Sequence, residues 1–274
     1  MNRVSKDRLY KKVMFNLYAF RVFRIAFIGV VLYGIHMGLN AQEIPRSFST
    51  SVKWMIEDVY KDNHKSFYCG CAFDDKQLTG TSCGYIPKDA YTSSGSVNTR
   101  AFSIEGEHVV PVSRLATNLM CWGDERKDIE ACYTGSGSLL SGRACCARVN
   151  DDYLYAQNDL VNLVPAIGQV NNQRSDKLFG EVTGEPRDFG MCDVEITDNI
   201  IEPDEPIRGD IARIHFYMVE TYGPALGIGI EDFPMDVLRY WDLKDPVSAE
   251  EIERNKRICT LQGKGNRYVG TCDN

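Results

Sequence analysis

The chain has no HExxH segment and no pair of CxxC knuckles, so its cysteines and four histidines form neither of the usual zinc patterns. A zinc hydrolase is disfavoured on that ground. Long apolar runs are also missing. The run at 25–35 falls short of the ~20 residues that a membrane helix needs. Positive charge is scarce as well, with 31 Lys and Arg against 38 Asp and Glu, a net of −7. That excludes a broadly basic nucleic-acid binder, because phosphate neutralisation supplies most of such affinity. Any polyanion must meet a local basic cleft, helped by a metal ion.

What is present points to an exported protein. A chain of 274 residues with 43% hydrophobic content can bury a full core in one large or two small domains. Ten cysteines, among them Cys69-Gly70-Cys71 and the adjacent Cys145-Cys146, are too many for a reduced cytosolic enzyme. They indicate a disulfide framework in an oxidising compartment. Residues 1–24 carry seven basic residues and one acid, and the apolar run ends in Leu39-Asn40-Ala41, a suitable cleavage site. Residues 1–41 therefore read as a secretory signal peptide with a long basic leader, the alternative being an uncleaved membrane anchor. Without them 24 basic residues face 37 acidic ones, a net of −13.

The chemistry is concentrated in Ser103-Ile104-Glu105-Gly106-Glu107-His108-Val109-Val110-Pro111. The Glu107 carboxylate suits a hard cation, and the His108 imidazole can take a proton from water. Adjacent strand residues point to opposite faces, so both serve one site only where a strand gives way to a loop. Val109 and Val110 suit extended backbone, and Pro111 restricts the residue before it to that geometry. A second stretch, Asp159-Leu160-Val161-Asn162-Leu163-Val164-Pro165, is followed by Gly168-Gln169-Val170-Asn171. His64 and His215 lack a carboxylate neighbour and read as structural, which leaves His108 as the catalytic histidine.

These stretches together resemble the bacterial endonuclease I family, secreted nucleases of the ββα-metal (His-Me finger) type. Phe67-Tyr68-Cys69-Gly70-Cys71, Cys83-Gly84-Tyr85, Cys121-Trp122, Arg208-Gly209 with Ile211-Ala212-Arg213, and Leu261-Gln262-Gly263 fit the family's landmarks in order. The resemblance spans roughly residues 45–272. It implies an α+β fold, a ββα-metal core embedded in a largely helical, disulfide-linked single domain, with 42–274 as the catalytic domain. It further implies that Glu107 and Asn162, the latter on a helix, hold one Mg²⁺, with Mn²⁺ or Ca²⁺ as substitutes. His108 would be the general base. Arg174, a turn beyond Asn171, becomes a candidate phosphate contact. The expected partners are DNA and RNA, held through the phosphate backbone with little sequence preference and cleaved to 5′-phosphate ends. The expected protein is a secreted or periplasmic monomer without stable membrane association once the signal is removed.

Two departures stand out. The family carries an arginine just before Cys-Trp, where this chain has Leu119; Arg114 or Arg174 could supply the charge, or transition-state stabilisation is weaker. The family also has a cysteine at the position of Ile252 and a small residue at that of Cys259. Leu119 and the acidic balance favour a rival reading, a secreted binding protein on a scaffold that has lost activity. Glu107, His108 and Asn162 oppose it.

Local patterns complete the expectations. Phe48, Val52, Met55, Ile56 and Val59 predict a helix over 48–60, capped by Ser47 or Ser49. A cysteine-tied loop follows over 67–85, then a Ser, Thr, Gly and Asn-rich turn at 91–100 feeds the strand ending at Glu107-His108. A short helix or turn lies between Pro111 and Trp122. Gly135 to Gly142 reads as a flexible insertion without catalytic chemistry, stapled through Cys145 and Cys146 to partners left open. Cys121 and Cys132 are near enough in sequence to close a small loop. Asp159 caps the Asn162 helix near its start. Ile207, Ile211, Ile214, Met218 and Tyr222 predict a core-packed helix on which Arg208 and Arg213 do different jobs. Ser248 and Glu251 form a capping box for a last helix that stops near Gly263.

Overall fold

The protein is described by a computed structural model that covers residues 44–80, 83–184 and 186–272. The expected signal segment lies outside them. The helical stripe at 48–60 forms helix α1 (Phe48–Trp54) and continues as a π-helical turn, Met55–Val59, whose Met55, Ile56 and Val59 enter the core. Ser47 occupies the cap position, but its hydroxyl pairs with that of Ser49 rather than with a helix amide. The cysteine-tied loop contains a small hairpin, β1 (Phe73–Asp74) and β2 (Gln77–Leu78). Strand β3 (Ile104–His108) then ends at the Glu-His pair, and a four-residue helix α2 (Val112–Leu115) follows Pro111. Helices α3 (Gly142–Val149) and α4 (Asp151–Asn158) come next, capped by the side chains of Ser141 and Asn150.

The expected helix on Asn162 does not form. Asp159 does cap, accepting from Val161 N, but only a 3-10 turn, Leu160–Asn162. The chain then extends as β4 (Leu163–Ile167), antiparallel to β3 with Glu107 opposite Val164 and His108 opposite Leu163. Pro165 is the physical reason: it cannot continue a helix, but it is tolerated in a two-stranded ladder where its missing N–H faces no partner strand. Its carbonyl accepts from Phe67 N instead. All of β4 is buried, so its uninterrupted apolar run carries no period. The helix arrives after it, as α5 (Gly168–Arg174).

A three-stranded sheet ordered β5-β7-β6 follows, built from β5 (Leu178–Phe179), β6 (Val194–Ile196) and β7 (Ile200–Pro203). Helix α6 (Arg208–Leu226) buries Ile211, Ile214, Met218 and Tyr222 of the predicted stripe, with Ile207 half-buried just before its start, and ends at Gly227 in left-handed geometry. Arg208 pairs with Glu202, whereas Arg213 reaches Glu251, Asp242 and the Asp245 carbonyl, two separate jobs. Helix α7 (Met235–Lys244) leads to α8 (Ala249–Gln262), which has the capping box of Ser248 and Glu251 and stops at Gly263. Arg254 of α8 donates to the carbonyls of Leu160, Val161 and Leu163, and Gln262 bonds Leu160 N and Asp159, so the last helix holds the Asn162 turn from behind.

All described residues belong to one compact mixed α and β unit. Every cysteine is in a disulfide: Cys69–Cys192, Cys71–Cys83, Cys121–Cys146, Cys132–Cys145 and Cys259–Cys272. Cys121 and Cys132 thus do not close a loop together; both are drawn to the adjacent pair on α3. No helix among the described residues is long and apolar enough to cross a membrane. Cys69–Cys192 bridges 123 positions of chain, and removing a native disulfide typically costs ~2–5 kcal/mol. Replacing both of its cysteines by serine should lower the midpoint of denaturant unfolding and expose the protein to protease. Unchanged protease resistance in that variant would contradict a structural role for the bridge.

Candidate active site

Strand alternation puts Glu105 and Glu107 on one face of β3, and His108 sits where the strand ends. All three line a cavity of about 800 Å³ together with Phe48, Arg100, Arg143, Asn171 and Arg174. Glu107 and His108 therefore share a site, at the point where strand turns into loop.

His108 is buried and its Nε2 lies 2.7 Å from the carbonyl oxygen of Gln157. A carbonyl only accepts, so Nε2 carries the proton and Nδ1 keeps the lone pair. The ring stacks on Phe48 with centroids 5.0 Å apart. Burial, followed by the charge of Arg143, pushes its pKa down to about 3. Burial thus keeps the imidazole neutral at physiological pH, with its Nδ1 lone pair met by no protein donor among the described residues.

Glu107 is also buried, and burial is the first cause that raises its pKa to about 7 against the opposing pull of Arg174. Tyr68 OH, at 3.4 Å, and Arg174 Nη1, at 3.0 Å, both reach the same oxygen, Oε1. The other oxygen can meet a cation without breaking either bond.

Arg174 departs from expectation. It is 1% exposed, and besides Glu107 it donates to the carbonyls of His108, at 2.7 Å, and Val109. Its guanidinium also lies over the Phe179 ring. A candidate phosphate contact must reach solvent, but the end of α5 turns under β3, and Arg174 supports the backbone of the Glu-His pair. These bonds leave little of it for a phosphate.

Asn162 departs too. It is fully buried, it is not among the residues that line the cavity, and both ends of its amide are engaged. Oδ1 accepts from Val110 N at 2.7 Å and Nδ2 donates to Val110 O at 2.9 Å. Asn171, nine positions later on α5, does line the cavity. Its Nδ2 donates to Glu105 Oε2 at 2.9 Å, and no protein donor reaches its Oδ1 among the described residues.

Arg143 is the site residue that sequence reasoning missed. It sits at the start of α3, directly after the stretch expected to be an inert insertion. Gly142 permits this placement: a Cβ there would come within 2.6 Å of the Trp122 carbonyl oxygen. Arg143 lies over the Phe48 ring at 4.6 Å and its Nε donates to Gln157 Oε1 at 3.1 Å. Gln157 thus holds His108 by its carbonyl and Arg143 by its side chain. Arg143 Nη2 is buried without a partner, and burial lowers the pKa of the guanidinium. An uncompensated cation at a cavity wall calls for an anion. Leu119, by contrast, packs partly buried against the core and does not line the cavity.

The donor set discriminates among metals. Among the described residues no group of three or more His, Cys, Asp or Glu could hold an ion, and no cysteine is a free thiol. That disfavours zinc, which takes nitrogen and sulfur cages. One carboxylate oxygen from Glu107 and one amide oxygen from Asn171 fit a hard cation such as Mg²⁺, which keeps several of its waters.

The chain is similar to known proteins over most of its length. The sequence profile of the family Endonuclease I matches residues 46–272. The chain is 32% identical over 226 residues to an extracellular deoxyribonuclease of Aeromonas hydrophila, covering 80% of this chain and 86% of that protein. It is 32% identical over 238 residues to a periplasmic deoxyribonuclease of the same organism, covering 84% and 88%. It is 34% identical over 218 residues to Endonuclease-1 of Buchnera aphidicola subsp. Acyrthosiphon pisum (strain APS), covering 77% and 76%.

The placement of Arg174 can be checked by stability alone. Removing one partner of a buried ion pair costs ~3–5 kcal/mol, so Arg174→Met should lose about that much in denaturant unfolding. A variant as stable as the parent would mean that Arg174 is not buried against Glu107.

Proposed function

The chain belongs to the endonuclease I family, and from that premise we propose that it is a secreted or periplasmic, metal-dependent endonuclease that hydrolyses phosphodiester bonds of DNA and RNA. The observation that carries this reading is a neutral, tautomer-locked His108 sharing one cavity with Glu107, Asn171 and Arg143, a guanidinium with no carboxylate partner among the described residues. We read β3, β4 and α5 as the ββα-metal core, and residues 42–274 as the catalytic domain left after a signal peptide at 1–41 is removed. Five disulfides and relatives named as extracellular or periplasmic support the location.

In this mechanism His108 Nδ1 takes a proton from the attacking water. The water oxygen forms a bond to phosphorus and the bond to the 3′ oxygen breaks; that oxygen takes a proton from a solvent water and leaves as a hydroxyl, and a 5′-phosphate end remains. Gln157 keeps the His108 ring in the required tautomer throughout. The half-buried Arg143 guanidinium pairs with a non-bridging phosphate oxygen through its solvent-facing edge and supplies the positive charge that position 119 lacks. Glu107 and Asn171 would hold one Mg²⁺, which when bound supplies Lewis-acid stabilisation of charge on the phosphate. Asn162, expected from sequence as a ligand, instead fixes the backbone after His108. Phosphates carry no base identity, so contacts of this kind give little sequence preference.

Plasmid degradation by the oxidised protein tests the proposal. Cleavage is expected with Mg²⁺, and none with EDTA or with zinc alone. His108→Ala should slow the rate by ~10²–10⁴, and Arg143→Ala by ~10²–10³, the latter with an altered salt dependence. An intact plasmid in Mg²⁺ would favour a binding protein, and cleavage with zinc alone a zinc hydrolase.

A further inference from the structure

Glu105 has no role in the chemistry above, yet it faces the same cavity two residues before Glu107. Its carboxylate is gripped by Arg100, with Nε at 2.7 Å from Oε1 and Nη2 at 2.6 Å from Oε2. Arg100 is in turn fixed to α5 by Nη1, 2.6 Å from Asn172 Oδ1. The free side of Glu105 Oε2 then accepts from Asn171 Nδ2 at 2.9 Å. The packing is close: a Cβ on Gly168 would come within 2.6 Å of Glu105 Oε1 and 2.9 Å of the Arg100 carbonyl oxygen.

An asparagine amide has nearly the same shape in its two orientations, and only its partners decide which end faces where. This matters at a cation site, since one end is an oxygen donor and the other repels the ion. A carboxylate accepts hydrogen bonds and cannot donate them. The NH₂ of Asn171 is therefore held against Glu105, and its oxygen is the end left for the cavity.

We propose that Glu105, held by Arg100, is a positioning residue that sets the orientation of the Asn171 amide so that oxygen, not NH₂, meets the cation. The inference rests on the reading of Asn171 as an oxygen ligand and extends it to the residue behind that ligand. It differs from a general electrostatic effect in a testable way, because an aspartate at 171 presents oxygen in either orientation. Glu105 is then not needed for orientation, and its removal only relieves repulsion between two carboxylates, so it should cost no affinity.

Mn²⁺ binding, followed by loss of the free-ion signal in electron paramagnetic resonance, reads this without any turnover. Glu105→Leu should weaken binding about tenfold, the lower end of what outer partners of metal ligands contribute. Glu105→Gln keeps one oxygen to accept from Asn171 but turns its NH₂ toward Arg100 Nε, so it should lose less affinity than Glu105→Leu. In an Asn171→Asp background, Glu105→Leu should cause no loss. Parent-like affinity of Glu105→Leu overturns the proposal, as does an equal loss in both backgrounds, which would assign Glu105 a charge or folding effect. Unchanged affinity in Asn171→Ala overturns the ligand reading itself, and this inference with it.

Discussion

The site depends on one side-chain clamp. The ladder between β3 and β4 ends at His108 and Leu163, and beyond it the backbone of Val109 and Val110 has no strand to pair with. Asn162 replaces the missing strand. Its amide meets both the N–H and the C=O of Val110, and its own carbonyl accepts from Val109 N. Arg174 satisfies the carbonyls of His108 and Val109 from the other side. Asn162 is itself held in place through Asp159, whose carboxylate accepts from Tyr217, Tyr222, Gln262 and Val161 N. Buried backbone groups left unmet would cost as much as lost hydrogen bonds. Here each is met, Val109 N by the Asn162 carbonyl and the others by side chains that are themselves fixed, so the Glu-His pair is presented on rigid ground.

Pairing of this kind also resolves the charge problem. Residues 42–274, with a net charge of −13, need local positive charge to meet a phosphate, and the cavity wall has Arg100, Arg143, Arg174 and Lys76. Arg100 and Arg174 are tied to Glu105 and Glu107. Arg143 alone among the three arginines keeps a buried nitrogen on a terminal position without a partner. Part of the acidic excess faces a different cavity, lined by Asp62, Asp210, Asp245, Glu250 and Glu253. Position and pairing, not total charge, decide what a polyanion would encounter.

Some of this was legible in the sequence because the signals are local. The period of 48–60, the stripe of α6 and the Ser248–Glu251 box depend on residues within a few positions of one another, and each element forms where its pattern predicts. His215, without a carboxylate neighbour in sequence, sits buried with Nδ1 on the Ile211 carbonyl and its ring edge-on to Phe179 and Phe233. The Glu107–His108 pair was legible because its members adjoin. A helix on Asn162 is a misreading, because an apolar run containing Pro165 has no period to reveal a strand buried on both faces. Arg143 was invisible, and Asn171, though part of the second stretch, had no role assigned, for another reason. Each reaches the cavity through a tertiary path, α3 pinned by two disulfides and α5 folded back under β3, that no spacing encodes. The pairings of ten cysteines could not be read from order alone.

The central claim is that α5, through Asn171, faces Glu107 across the cavity while Asn162 is reserved for the backbone. The most direct measurement is the anomalous signal of Mn²⁺ in crystals of the His108→Ala protein with a short DNA duplex. The account predicts one peak at ~2.0–2.2 Å from an oxygen of Glu107 and from Asn171 Oδ1, as hard octahedral cations require, with the Asn162 amide still on Val110. A peak coordinated by Asn162, with Asn171 turned away, would contradict it.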